Sequence, residues 1–147
     1  ELIASNEGID WVDDSKATNP HAAKAALSSY LSVIWIAGGL AKGASMVDLI
    51  HKSSKRIKSA ILIGTDRELI AAELSKQAPH VEIFRVEKAG SSLEMMEEIV
   101  TLAKKLASKD DTVLLAPACA SMDQFKSYAE RGDLFAAAVK KLVNNEK

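Results

Sequence analysis

A single cysteine, Cys119, stands among the 147 residues, so no disulfide can close within the chain. A reducing, cytoplasmic setting is the expectation that follows. No apolar run approaches the roughly 20 residues of a membrane-spanning helix, and no basic stretch followed by an apolar one opens the chain as a signal peptide would. An excess of charge of either sign is also missing. The 19 Lys and Arg stand against 20 Asp and Glu without a basic stripe, so nucleic acid is not an expected partner. The three histidines, His21, His51 and His80, are too scattered for a metal-ligand spacing, and no metal site is expected. Three motifs are absent as well: the G-x-x-x-x-G-K-[ST] phosphate loop, the G-x-G-x-x-G dinucleotide turn and the G-x-S-x-G nucleophile elbow.

What is there is alternating apolar periodicity, with 48% hydrophobic residues, enough for one domain over residues 1–147 around one core. The chain opens on Glu1-Leu2-Ile3-Ala4, which reads as mid-strand, and the expectation is a piece of a longer protein. Residues 1–5 and 9–14 read as strands joined by Asn6-Glu7-Gly8, a connection short enough to demand an antiparallel hairpin. Asn19-Pro20 predicts a helix start, continued over His21–Leu31. The runs 33–37, 59–64 and 112–116 are continuously apolar, as strands covered on both faces are. A more alternating strand, 81–86, belongs nearer an edge. Helices are predicted from about Ser45 to Lys55, from an Asp66 cap to Gln77, from a Ser91/Glu94 capping box to Ala107, and from Asp133 to Val143. The resulting fold class is α/β: a Rossmann-like three-layer αβα domain. Its mostly parallel sheet has about six strands, four crossover units and an N-terminal antiparallel hairpin.

In open α/β sheets ligands sit beyond the carboxyl ends of the strands. Three loops meet that criterion: Asp14–Asn19, Gly38–Ser45 and Pro117–Asp123. In the first, Lys16 is a compact cation and Thr18 a hydroxyl donor, suited to phosphate or carboxylate. The same residues also read as a polar loop that caps a helix, and from pattern alone the two readings stand level. In the second, Gly38-Gly39 lets the backbone turn sharply, and Lys42 is either a ligand-directed or a solvated cation. In the third, Ser121 with Gln124 forms a capping-box pattern, and Cys119 between alanines reads as a small buried residue rather than a catalytic thiol. One or both of Phe125 and Tyr128 are expected to pack, Arg131 and Asp133 to pair around Gly132, and Trp11, Trp35 and the methionines to pack rather than bind a cofactor.

Three segments taken together carry a resemblance: Asp14-Ser15-Lys16-Ala17-Thr18-Asn19-Pro20, Gly38-Gly39 with Lys42, and Pro117-Ala118-Cys119-Ala120-Ser121-Met122-Asp123-Gln124-Phe125 with Arg131-Gly132. In residues, order and separation they resemble the C-terminal domain of the Mur ligases. The likeness is greatest to the branch that joins D-glutamate to UDP-N-acetylmuramoyl-L-alanine in peptidoglycan precursor synthesis. The resemblance implies an ATP- and Mg-dependent amide-bond ligase working through an acyl phosphate. Nucleotide and metal would be held mainly by a central domain, and the UDP sugar by an N-terminal domain, both outside this chain. It implies that Thr18 and Lys42 hold the α-carboxylate of D-glutamate, and that Ser121 and the Tyr128 N–H hold its side-chain carboxylate. Asp14 would face the ATP ribose and Lys16 its phosphates. No catalytic residue is expected within these residues, and the protein is expected to be a monomer. Two departures are Tyr128 where phenylalanine is common and Leu40-Ala41 where a more polar pair is usual. The rival expectations are a folylpolyglutamate synthetase-like ligase domain and a non-catalytic α/β regulatory module.

Overall fold

Apolar runs that alternate between two buried faces organise the molecule, a computed structural model describing residues 1–121 and 123–145. Met122, which belongs to the third motif, lies outside the described residues. The strands are β1 (Leu2–Asn6), β2 (Ile9–Asp13), β3 (Val33–Gly38), β4 (Ile57–Ile63), β5 (Glu82–Arg85) and β6 (Thr112–Leu115). They form one sheet of six in the order β1-β2-β6-β3-β4-β5. Only β1 and β2 pair antiparallel, and every other neighbour is parallel.

The helices are α1 (Pro20–Leu27), α2 (Val47–Ser53), α3 (Arg67–Gln77), α4 (Ser92–Leu106) and α5 (Tyr128–Asn145). Trp35, Ala37, Leu62 and Leu114 face α1, α2 and α3 through Leu27, Ile50 and Leu74. Ile34, Ile36, Ile61 and Leu115 face α4 and α5 through Met96, Ile99, Phe135 and Val139. Burial on both faces is why β3 is apolar throughout. Because β6 inserts between β2 and β3, the loops that follow β2, β6 and β3 stand side by side at the carboxyl end of the sheet.

Several boundaries differ from the sequence expectation, each for a local reason. α1 stops at Leu27 rather than Leu31: the Ser28 hydroxyl donates back to Ala25 O (2.6 Å), and Arg56 Nη1 takes the Tyr30 carbonyl (2.7 Å). Asp66 occupies the N-cap position of α3 without capping it; its carboxylate instead accepts the Ala41 N–H at 2.8 Å. Ser121 heads a turn, with Gln124 and Phe125 N–H donating to its carbonyl, and no helix follows there among the described residues. α5 begins at Tyr128 rather than Asp133, because Ser127 caps it by accepting the Glu130 N–H (3.1 Å). The Ser91/Glu94 capping box forms as expected.

Candidate functional site

The loops that follow β2, β3, β4 and β6 all leave the sheet at the same end, and main-chain bonds lace them together. Asp14 N–H donates to Leu115 O (2.8 Å), Ala118 N–H to Ala17 O (2.9 Å) and Gly38 N–H to Pro117 O (2.9 Å). Leu40 and Ala120 exchange two bonds of 3.0 and 2.9 Å, a one-residue antiparallel bridge. Leu40 therefore takes part through its backbone, whatever its side chain. Asp66 N–H donates to Gly39 O (2.9 Å), and Thr65 N–H to the Asp123 carboxylate (2.8 Å). Gly39, at φ 133°, permits this crossing, since a Cβ there would stand 2.2 Å from the Ala120 carbonyl. Lys42 and Ala118 hold left-handed φ of 51° and 62°, a conformation that costs non-glycine residues energy and clusters at ligand sites.

On this shelf Asp14 and Thr18 are half-buried, Lys16 and Lys42 exposed and Ser121 buried. Tyr128 opens α5, so its N–H belongs to the first turn, where helix donors have no intrahelical partner. A cavity of about 300 Å³ brings Asp14, Lys16 and Tyr128 together with Asp13, Gly132 and Asp133. Thr18, Lys42 and Ser121 do not line that cavity; they stand on the laced loops beside it. Phe125 packs into the core, whereas the Tyr128 ring remains exposed. Among the described residues no group of three or more His, Cys, Asp or Glu could hold a metal ion.

The expected Arg131–Asp133 pair is not formed. Arg131 points inward and is fully buried. It donates from Nε to Ser15 Oγ (2.9 Å), from Nη2 to Ser15 O (3.0 Å) and from Nη1 to Cys119 O (3.2 Å). Burial pushes its guanidinium down to about 10. The Cys119 thiol beside it is pushed up to about 12, again by burial, and is no nucleophile. Burial also raises Asp13, against the Ser15 N–H that its carboxylate accepts at 2.9 Å. The sequence marks Ser15 only as part of a polar loop and Asp13 only as the end of a strand. The one signal for the arrangement was Gly132: a Cβ there would stand 2.6 Å from Asp13 Oδ2, so only glycine lets α5 come this close to β2.

Comparison with known proteins decides the family. The profile described as "Mur ligase, glutamate ligase domain" matches residues 1–119. The chain belongs to the Mur ligase family. Its likeness to curated members is strong. It is 50% identical over 140 residues to the UDP-N-acetylmuramoylalanine–D-glutamate ligase of Streptomyces avermitilis, covering 95% of this chain and 30% of that protein. It is 51% identical over 138 residues to the protein of the same name from Frankia casuarinae, covering 94% of this chain and 28% of that one. The match in Mycolicibacterium smegmatis is 41% identical over 171 residues, 97% of this chain and 35% of the relative. The chain thus spans about a third or less of the Mur ligases it matches. In fold, the UDP-N-acetylmuramate–alanine ligase of Thermotoga maritima superposes with a TM-score of 0.64 at 12% identity, over 100% of this chain and 30% of that one. That likeness confirms the three-layer Mur ligase architecture.

Proposed function

We propose that this Mur ligase domain is the D-glutamate-holding part of a longer, ATP-dependent ligase that extends UDP-N-acetylmuramoyl-L-alanine during peptidoglycan precursor synthesis. The observation that supports the reading is the lacing, at the carboxyl edge of the sheet, of the loops after β2, β3 and β6, the loops that carry Thr18, Lys42 and Ser121. D-Glutamate carries two carboxylates, and such a shelf supplies charged and neutral donors at separated points. Thr18 and Lys42 hold the α-carboxylate. Ser121 and the Tyr128 N–H, at the positive end of α5, hold the side-chain carboxylate.

Two of the residues around the 300 Å³ cavity fit one side of a nucleotide, Lys16 for phosphate and Asp14 for ribose hydroxyls. No phosphate loop stands in the chain, so most of the contact to ATP and Mg falls to the rest of the longer protein. ATP supplies activation of the L-alanine carboxylate as an acyl phosphate. The residues of this domain orient the D-glutamate amine toward that carbonyl and exclude water from it when the domains close. A cytoplasmic monomer is the setting this chemistry fits.

The test is steady-state kinetics on the full-length ligase. Lys42→Ala should raise the KM for D-glutamate about ten- to a hundredfold, the worth of a charge-assisted hydrogen bond. The KM for the UDP substrate should move little. An unchanged D-glutamate KM removes Lys42 from the site.

A further inference from the structure

Arg131 is a full positive charge with no solvent exposure, and all three of its hydrogen bonds end on neutral oxygens. Asp123 and Asp13 favour its charge, but neither is among its hydrogen-bond partners. Burying such a group without a directly bonded carboxylate is costly, and an apolar side chain of similar volume would pack the same space at lower cost. Its retention therefore calls for a task that needs its donors. The guanidinium is the one side chain with several N–H groups fixed in a plane, so it can hold two separate loops at a set distance. One of those loops is gripped at Ser15, three residues before Thr18, and the other at Cys119, two residues before Ser121. Ser15 closes the ring, since its hydroxyl accepts from Arg131 Nε and donates to Tyr128 O at 2.6 Å. One buried cation thus touches the residues that lead into each side of the proposed amino-acid site.

We propose that Arg131 is a positioning residue that sets the spacing between the two carboxylate subsites, Thr18 with Lys42 on one side and Ser121 with Tyr128 on the other, and so makes the site selective for the chain length of its dicarboxylic amino acid. The proposal rests on the reading of the site given above. A fixed spacing accepts D-glutamate and penalises D-aspartate, which is one methylene shorter. A loosened spacing still binds carboxylates but measures them poorly.

The experiment compares D-glutamate with D-aspartate as acceptors in the full-length ligase, for wild type, Arg131→Lys and Ser15→Ala. Lysine keeps the charge but cannot reach both loops in one plane. Arg131→Lys should raise the D-glutamate KM about tenfold, within the roughly hundredfold that a misplacement of about 1 Å can cost. It should also shrink the preference for D-glutamate over D-aspartate severalfold, with the KM for the UDP substrate unchanged. Ser15→Ala, which removes only the Nε acceptor and the bond to Tyr128 O, should act in the same direction with smaller size. It decides the matter if Arg131→Lys does not fold. A role confined to stability would lower the apparent kcat for both amino acids alike and leave their ratio unchanged, and that result overturns the proposal. Thr18→Ala and Ser121→Ala are measured alongside. If neither raises the D-glutamate KM, the site reading fails and the clasp with it. If both do while the preference is unchanged in Arg131→Lys and Ser15→Ala, the clasp alone is wrong.

Discussion

At Gly132 two rules of residue chemistry oppose each other. Replacing an interior helical glycine by alanine ordinarily stabilises a protein by about 0.5–1 kcal/mol. Here the new Cβ would meet Asp13 Oδ2 at 2.6 Å, and that carboxylate is held by the Ser15 N–H. Gly132→Ala should therefore lower the unfolding free energy, and the double variant with Asp13→Ala should recover it. Urea denaturation measures both, and a more stable single variant would contradict the account. Asp111 offers a second test. Burial pushes its carboxyl up, but the Lys58 ammonium (2.7 Å), the Ser108 N–H (2.8 Å) and the Ser32 hydroxyl (2.7 Å) together hold it below its ordinary 3.8. A depressed folded value means stability that is fully present above 3.8 and is lost as pH falls through the lowered value. Asp111→Asn should cost about 1 kcal/mol or more near neutrality, and its gap from wild type in urea melts should close in acid. A gap independent of pH would show that the charge does not matter there. Neither residue was legible in the sequence. Asp111 reads as part of a polar turn and Gly132 gives no hint of what it approaches, because Lys58 and Ser32 for the one and Asp13 for the other lie far away in sequence.

Elements were far more legible than their ends. The long apolar runs at 33–37, 59–64 and 112–116 could only be covered strands, and the Asn19-Pro20 and Ser91/Glu94 signals are local, so both helix starts stand where expected. Where a tertiary partner intervenes, local reading fails. Arg56 reaches in from the turn before β4 to take the Tyr30 carbonyl just past the end of α1. Ala41 draws the Asp66 carboxylate away from α3. Ser127, an ordinary residue in a polar segment, caps α5 so that it starts at Tyr128, five positions before the expected Asp133. The Ser91 box stabilises α4 at both of its reciprocal bonds, so Ser91→Ala should cost about 1 kcal/mol. Ser45 precedes α2 and its hydroxyl accepts only the Val47 N–H, at 3.2 Å and with no reciprocal bond, so Ser45→Ala should cost less. Paired thermal melts compare the two, and equal losses would contradict the difference in capping.

For the whole molecule, two apolar clusters on opposite faces of one sheet give the domain a core of its own, so the 147-residue chain should fold independently. The mostly parallel sheet and the carboxyl-edge position of the three loops followed from the alternation of strands and helices, whereas the insertion of β6 between β2 and β3 did not. The lacing of those loops did not, because it is made of backbone bonds that leave no mark on residue type. Folding and catalysis should separate: without a phosphate loop, the purified chain should release no phosphate from ATP in the presence of Mg, D-glutamate and the UDP substrate. Turnover above background, in a preparation free of longer ligase, would contradict that division of labour. The claim at the centre is that this shelf holds D-glutamate, and the most direct measurement is nuclear magnetic resonance on the isotopically labelled chain titrated with D-glutamate to millimolar excess. The account predicts amide shifts concentrated at Thr18, Lys42, Ser121 and Tyr128, much weakened with L-glutamate. Shifts centred instead on the opposite edge of the sheet, around Leu31, His51 and Lys55, would contradict it.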